Sequence, residues 1–314
     1  MGLGSSPRAW FDAVSWHARG LFATEANRRI GFAARELWQP AEIEARRGLA
    51  RQLAAEVPPE LRIDRTAGFL RLPAAATPDL STVCTAGQQI LETSSLDTGV
   101  SAGNKRFSRF RLAQVDQRQA LLQVALDRRM IAMAATYLGT VPVITEADYF
   151  CSFPVTPPFT KSQLWHCDDD ARDVLKIFVY CDVVEPDDGP FELIPPSESR
   201  QARSAVGYRY AGRRYRVSDE AMARQVTPAQ ITTILGGKGT AFAVDTVQCF
   251  HRGSRIVDPD RTRVVGMICY CPPSGRTLPR RLASGLAPMG AFVDSYRGEL
   301  ERAVLGMPLT QRWI

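Results

Sequence analysis

Histidine is scarce in this 314-residue chain, which has only His17, His166 and His251. Two buried structural histidines meeting by chance is therefore a poor account of any pattern they form. Cysteine is present without a framework. The seven residues are odd in number, scattered, and include no C-x-x-C pair, which excludes a disulfide scaffold or a cysteine zinc site. They read as reduced, buried thiols of a cytoplasmic protein. No apolar run approaches membrane-spanning length, and no secretory leader, internal repeat or low-complexity segment is visible. Met1-Gly2-Leu3-Gly4-Ser5-Ser6 matches the bare N-myristoylation pattern, which many short Gly/Ser starts share. The net charge of +6 is a mild basic bias that a solvated arginine-rich surface explains as well as an anionic partner. With 45% hydrophobic residues, the chain can bury one large core.

What remains is ordered in two halves. The first third reads helical. Trp10, Phe11, Val14 and Trp16 suggest one apolar face. Pro40 sits at a first-turn position ahead of Ile43, Leu49 and Leu53. Residues 57–113 are undecided, with turn residues from Pro73 to Pro78 and a Gly/Ser/Asn stretch at 99–104. A helix is predicted from Asp116 to Leu138, stopped by Gly139. From Val141 the period changes to that of short strands at 141–153, 162–168, 174–184, 190–194, 240–250 and 261–271, with a turn at Asp187-Asp188-Gly189-Pro190. The segment 197–238 is an insert with a hairpin expected at Tyr208–Arg216 and a short helix opened by Thr227-Pro228. Gly290 to Leu305 reads as a closing amphipathic helix. The expected fold class is mainly β with helical additions, a double-stranded β-helix or jelly roll. The expected division is 1–140 helical, 141–275 core and 276–314 helical tail, within one structural domain.

His166 and Asp168 in Trp165-His166-Cys167-Asp168, with His251 in Phe250-His251-Arg252-Gly253, form an H-x-D…H pattern. Residues i and i+2 of a strand share a side, so both can reach one ion, and the distal histidine must come from a neighbouring strand. Two neutral imidazoles and one carboxylate on one face of a metal suit Fe(II) and leave positions open for a co-substrate and O₂.

The stretch Gln163 to Asp168, then Leu175 to Val183, then Asp188-Gly189-Pro190-Phe191-Glu192-Leu193-Ile194-Pro195-Pro196-Ser197-Glu198, resembles the phytanoyl-CoA dioxygenase-like family. So do Gly239-Thr240-Ala241, Asp245-Thr246, His251-Arg252-Gly253-Ser254 and Arg263. Pro196 and Glu198 depart from the family's Gly and His in a turn. The resemblance covers about 141–273, under half the chain. It implies an Fe(II)- and 2-oxoglutarate-dependent oxygenase on a double-stranded β-helix, with His166, Asp168 and His251 as metal ligands. An arginine soon after the distal histidine would clamp the far carboxylate of 2-oxoglutarate. Arg261 and Arg263 both qualify, and Arg263 is favoured by the offset to Tyr270. The retained Asp168 favours hydroxylation or a related oxidation over halogenation, since similar halogenases carry a small residue there.

The remaining residues divide between site and scaffold. Lys176 and Phe178 share an inward face with Tyr180, so they stand with Arg263 and Arg261 as expected co-substrate contacts. A lysine whose head group reaches solvent is the plainer account of Lys176. Gln163 and Trp165 flank the H-x-D; for Trp165 core packing serves equally well. Alternation turns Cys167 away from the metal. His17 is an ordinary surface or packing residue. The Arg/Tyr-rich segment 200–216 offers phosphate or base contacts, or else a solvated hairpin. The expected partner is a small or carrier-attached metabolite, with no membrane and no nucleic acid; oligomeric state is open. Two rival readings are the same chemistry on nucleic acid or protein, and a non-catalytic metal-binding jelly roll.

Overall fold

In a computed structural model the described residues are 24–37, 39–93, 107–110, 115–210, 215–253, 255–276, 278–283 and 287–310. The myristoylation-like start, the apolar face at Trp10 to Trp16, His17, the 99–104 stretch, residues 211–214 of the expected hairpin and Ser254 lie outside them.

Nine strands are described: β1 Phe69–Arg71, β2 Phe107–Phe110, β3 Val143–Ser152, β4 Leu175–Tyr180, β5 Phe191–Ile194, β6 Thr232–Ile234, β7 Ala241–Val244, β8 Phe250–Arg252 and β9 Arg263–Cys271. They form a six-stranded sheet ordered β1-β7-β4-β9-β3-β2 and a three-stranded sheet ordered β6-β5-β8, with every pairing antiparallel. Between β3 and β4 the chain touches the small sheet, where Trp165 bridges Val217 and His166 bridges His251. From β3 onward the chain thus crosses repeatedly between the two sheets. That alternation is the double-stranded β-helix, and the mainly β fold with helical additions stands.

Strand phase decides which side chains enter the sandwich. In β9 Arg263, Val265 and Met267 face the interior, whereas Val264, Ile268 and Tyr270 join the core under the helices. In β4 Lys176, Phe178 and Tyr180 face inward, and Leu175, Ile177 and Val179 face the helices. All nine β9 residues are buried because both faces of the large sheet are covered. A Cβ on Gly266 would press on Leu121 and Val83, at 3.0 and 3.2 Å, so the helices lie directly on this strand.

The covering layer comes from the helices Ser81–Thr93, Val115–Ala125 and Arg128–Leu138. The single helix expected over 116–138 is two, because Asp127 leaves helical geometry and caps the second by accepting from the Arg129 N–H at 2.9 Å. Gly139 stops it at φ +69°, as expected. The helix Pro40–Leu53 also forms, with proline in its first turn. It carries a buried ion pair, Arg46 Nε to Glu42 Oε1 at 2.6 Å. The same guanidinium reaches Val141 O at 3.1 Å, Ala303 O at 3.0 Å and Met307 O at 2.8 Å, while Glu42 accepts from Thr310 N at 2.8 Å. One residue pair thereby ties an N-terminal helix, the approach to β3 and the C-terminal segment.

Several expectations change. The undecided region supplies β1 and β2 to the large sheet, so the first 140 residues are part of the sandwich as well as its cover. The insert begins with an unforeseen helix, Pro196–Ala205, whose first residue is the proline that replaces the family's glycine. The short helix expected after Thr227-Pro228 does form, as a 3₁₀ turn over Pro228–Gln230 closed by a Thr227/Gln230 capping box. The C-terminal helix divides into a 3₁₀ segment, Gly290–Ser295, and an α-helix, Glu299–Val304. Tyr208 and Tyr210 are buried and stack edgewise, with Tyr208 also against Phe250, which is unlike a solvated hairpin. Among the described residues no helix is long and apolar enough to cross a membrane.

Candidate metal centre and its cavity

The expected strand at 162–168 is a 3₁₀ turn, Lys161–Gln163, followed by a short extended piece. Gln163 closes the turn by accepting from the Thr160 N–H at 2.9 Å, so it shapes this entry rather than standing free in the pocket. His166 then exchanges both backbone hydrogen bonds with His251, at 3.0 and 2.9 Å, and Asp168 N donates to Thr246 O at 2.8 Å. Three side chains remote in sequence are thus fixed by main-chain pairing. Potential ligand atoms of His166, Asp168 and His251 all lie within 4.8 Å of one another.

Each imidazole is set by its own strand. His166 Nδ1 lies 2.9 Å from Leu164 O and His251 Nδ1 lies 3.2 Å from Cys249 O. A carbonyl accepts only, so Nδ1 carries the proton and Nε2 keeps its lone pair. The Nε2 atoms lie 3.9 Å (His166) and 4.0 Å (His251) from Asp168 carboxylate oxygens. Bonds of roughly 2.0–2.2 Å from each donor to a shared ion would span those gaps. Burial pushes the His166 pKa well below its ordinary value, and the neighbouring His251 adds to this. Burial lowers His251 too, against the pull of Asp168. Both rings are neutral at neutral pH, as metal ligands must be. Phe191 stacks on His251 at 5.4 Å and 11°.

Lys176 has a definite partner: its Nζ donates to Asp168 Oδ2 at 2.7 Å. Burial opposes charge on both, yet each overrides it for the other. Lys176 is held well above the usual ammonium range, and Asp168 well below the usual carboxylate range. The solvent-reaching account of Lys176 gives way, since it is 9% exposed.

The three donors face a cavity of about 400 Å³, also lined by Phe178, Phe191, Phe242, Arg216 and Arg263. Phe178, Phe191 and Phe242 have ring centroids 4.9–5.4 Å apart and make one wall apolar. Arg263, 5% exposed, lies on the wall and donates Nη1–H to Gly189 O. Arg261 does not line the cavity: it pairs with Asp188 at 2.8 and 2.9 Å and anchors the 187–190 turn. Tyr270 faces away, donating to Ala125 O at 2.6 Å, so strand phase places Arg263 and Tyr270 on opposite faces. Trp165 packs in a separate core cluster with Cys167, under the Arg252 guanidinium at 4.4 Å.

Spacing alone did not single out three cavity residues. Glu146 enters because a bulge between Ile144 and Glu146 shifts the phase of β3. Arg252 follows His251 directly and is held by Glu192 at 2.6 Å. Among the described residues of the Arg/Tyr-rich segment, Arg216 alone reaches the cavity. Its guanidinium lies 3.9 Å from the Tyr215 ring and forms no ion pair among the described residues.

No family model matches this chain, and no curated protein matches it. Solved structures do. EctD from S. alaskensis with 2-oxoglutarate and 5-hydroxyectoine is 21% identical, covering 72% of this chain and 77% of that one at a TM-score of 0.47. The non-heme alpha-ketoglutarate-dependent carbocyclase SnoK from nogalamycin biosynthesis is 14% identical, covering 70% and 86% at 0.47. HygX from Streptomyces hygroscopicus, with nickel and 2-oxoglutarate bound, is 16% identical, covering 66% and 84% at 0.44. Likeness of this degree leaves the chemistry to be read from the chain's own residues.

Proposed function

We propose that the chain is a non-haem iron, 2-oxoglutarate-dependent dioxygenase acting on a small or carrier-attached metabolite. One observation carries the reading. Two neutral imidazoles with free Nε2 atoms and one carboxylate converge on a cavity whose wall holds a buried guanidinium. His166, Asp168 and His251 would hold Fe(II), a donor set of two nitrogens and one oxygen that leaves adjacent positions open. With Fe(II), 2-oxoglutarate and O₂ bound, the centre supplies oxidative decarboxylation to succinate and CO₂ coupled to oxidation of a substrate C–H bond. Arg263 would take the distal carboxylate of 2-oxoglutarate, because its planar fork offers two parallel donors.

The remaining groups orient and exclude. Lys176 holds Asp168 Oδ2, the oxygen 4.0 Å from His251 Nε2, and so orients the carboxylate with Oδ1 3.9 Å from His166 Nε2. The wall of Phe178, Phe191 and Phe242 keeps water from the reacting carbon. A cavity of about 400 Å³ suits a metabolite rather than a folded macromolecule. We place the protein in the cytoplasm, which its seven free, buried cysteines support. We also infer that 141–275 supplies most of the core, completed by β1 and β2, with 197–238 inserted between its halves and 276–314 as a tail.

Anaerobic addition of Fe(II) and 2-oxoglutarate should give a metal-to-ligand charge-transfer band, and aerobic incubation should form succinate. His166→Ala and Asp168→Ala should lose both signals. Wild-type succinate formation in either variant would overturn the ligand assignment.

A further inference from the structure

A second cavity, of about 570 Å³, lies between the helices Glu25–Glu36 and Pro196–Ala205, on the side of the H-x-D segment to which Cys167 turns. Four guanidiniums line it, those of Arg29, Arg200, Arg203 and Arg209, against the one carboxylate of Glu25. Glu25 is already engaged, by the Tyr210 hydroxyl at 2.9 Å and Arg29 at 3.1 Å. Arg200 and Arg209 are exposed and make no hydrogen bond or ion pair among the described residues.

Arg203 separates this cavity from an ordinary basic surface. It is only 9% exposed, yet forms no ion pair among the described residues. Its hydrogen bonds all leave from Nη1, to Gln248 O at 3.0 Å, Val247 O at 3.4 Å and Cys167 Sγ at 3.4 Å. Three neutral acceptors hold one end of the fork in place. Nη2 and Nε have no protein acceptor among the described residues, and Arg203 lines the cavity. The nearby Glu25 carboxylate acts on Arg203 from beyond ion-pair distance and is shared with Tyr210 and Arg29, and two parallel donors on a planar group match two oxygens of a tetrahedral oxyanion.

We propose that this cavity binds a phosphoryl group, free or carried by a small molecule. The Arg203 edge grips it at the floor, and Arg200 and Arg209 take the remaining charge at the rim. The inference does not depend on the metal centre, because neither His166, Asp168, His251 nor Arg263 lines this cavity.

The test is titration calorimetry of inorganic phosphate, glycerol phosphate and pyrophosphate into the metal-free full chain. Saturable binding at one site is expected, with pyrophosphate tighter than phosphate because it reaches the rim. Tighter glycerol phosphate would assign the cavity to a phosphorylated metabolite, and equal affinity to the free ion. Arg203→Lys should weaken binding at least tenfold, and so should the exposed double variant Arg200→Glu/Arg209→Glu, which serves even if the first fails to fold. Arg263→Ala should leave affinity unchanged. Three results would each overturn the proposal: no saturable binding, an affinity unmoved by the double reversal, or binding lost in Arg263→Ala.

Discussion

Lys176 is the residue with the most unusual position, because it neutralises a carboxylate that a metal would also claim. Removing the ammonium leaves Asp168 buried and uncompensated, a change that typically costs about 3–5 kcal/mol. Lys176→Met is therefore expected to melt earlier than wild type without metal, and to gain more in Tm when Mn(II) is added. Differential scanning fluorimetry with and without the ion reads both; equal metal-induced shifts in the two proteins would refute the competition. Arg263 and Arg261 allow a cleaner contrast. Arg263→Lys keeps the charge but loses the second donor, and a charge-assisted bond of about 1.5–3 kcal/mol corresponds to a roughly 10–100-fold higher KM for 2-oxoglutarate. Arg261→Ala should leave that KM within about twofold, because its partner is Asp188 at the turn. Spacing in the sequence could not separate these arginines, since both follow His251 at a reachable distance. The start of β9 separates them, because Arg263 is its first residue and faces inward, whereas Arg261 lies outside the strand and pairs with Asp188.

The elements legible in the sequence are those whose own periodicity demands them. The runs that became β3, β4, β5, β7 and β9 are β-branched or aromatic and bounded by turn residues, and the helix from Pro40 carries its start signal in the first turn. The elements missed depend on remote partners. β1, of three residues, exists because β7 offers it an edge. The cluster of His166, Asp168 and His251 was legible because its residue types are rare and its spacing specific. The Lys176–Asp168 pair was not, since it joins two crossings of the sandwich. The Arg46–Glu42 pair belongs to this scale. Arg46→Leu should lower the unfolding free energy by about 3–5 kcal/mol in urea titration, because it strips a buried carboxylate of its partner and empties several carbonyl contacts. Replacing both residues by hydrocarbon of similar volume should recover most of that loss.

For the molecule as a whole, one buried acid sets a pH dependence opposite in sign to that of the buried His166 and His251. Asp245, fully buried, accepts from Val247 N at 3.0 Å and Gln248 N at 3.1 Å and bonds the Tyr137 hydroxyl at 3.0 Å. Burial, aided by the charge of Asp173, pushes its pKa up to about 7. The folded protein therefore holds a proton that the unfolded chain releases near pH 4. Its contribution to stability is full below that value and is lost as pH rises toward 7. Urea unfolding of metal-free protein from pH 4 to 7 should show a steeper fall for wild type than for Asp245→Asn. Parallel curves would show that Asp245 ionises as it does in the unfolded chain. The mutual backbone pairing of His166 with His251 reaches further. A ribosome must deliver the chain past β8 before both rings can exist side by side, so a translation product that ends before β8 lacks the third donor. On the proposed assignment an ion would bind only chains that have reached β8 and closed the sandwich, and binding to the folded state alone would shift the balance toward folding.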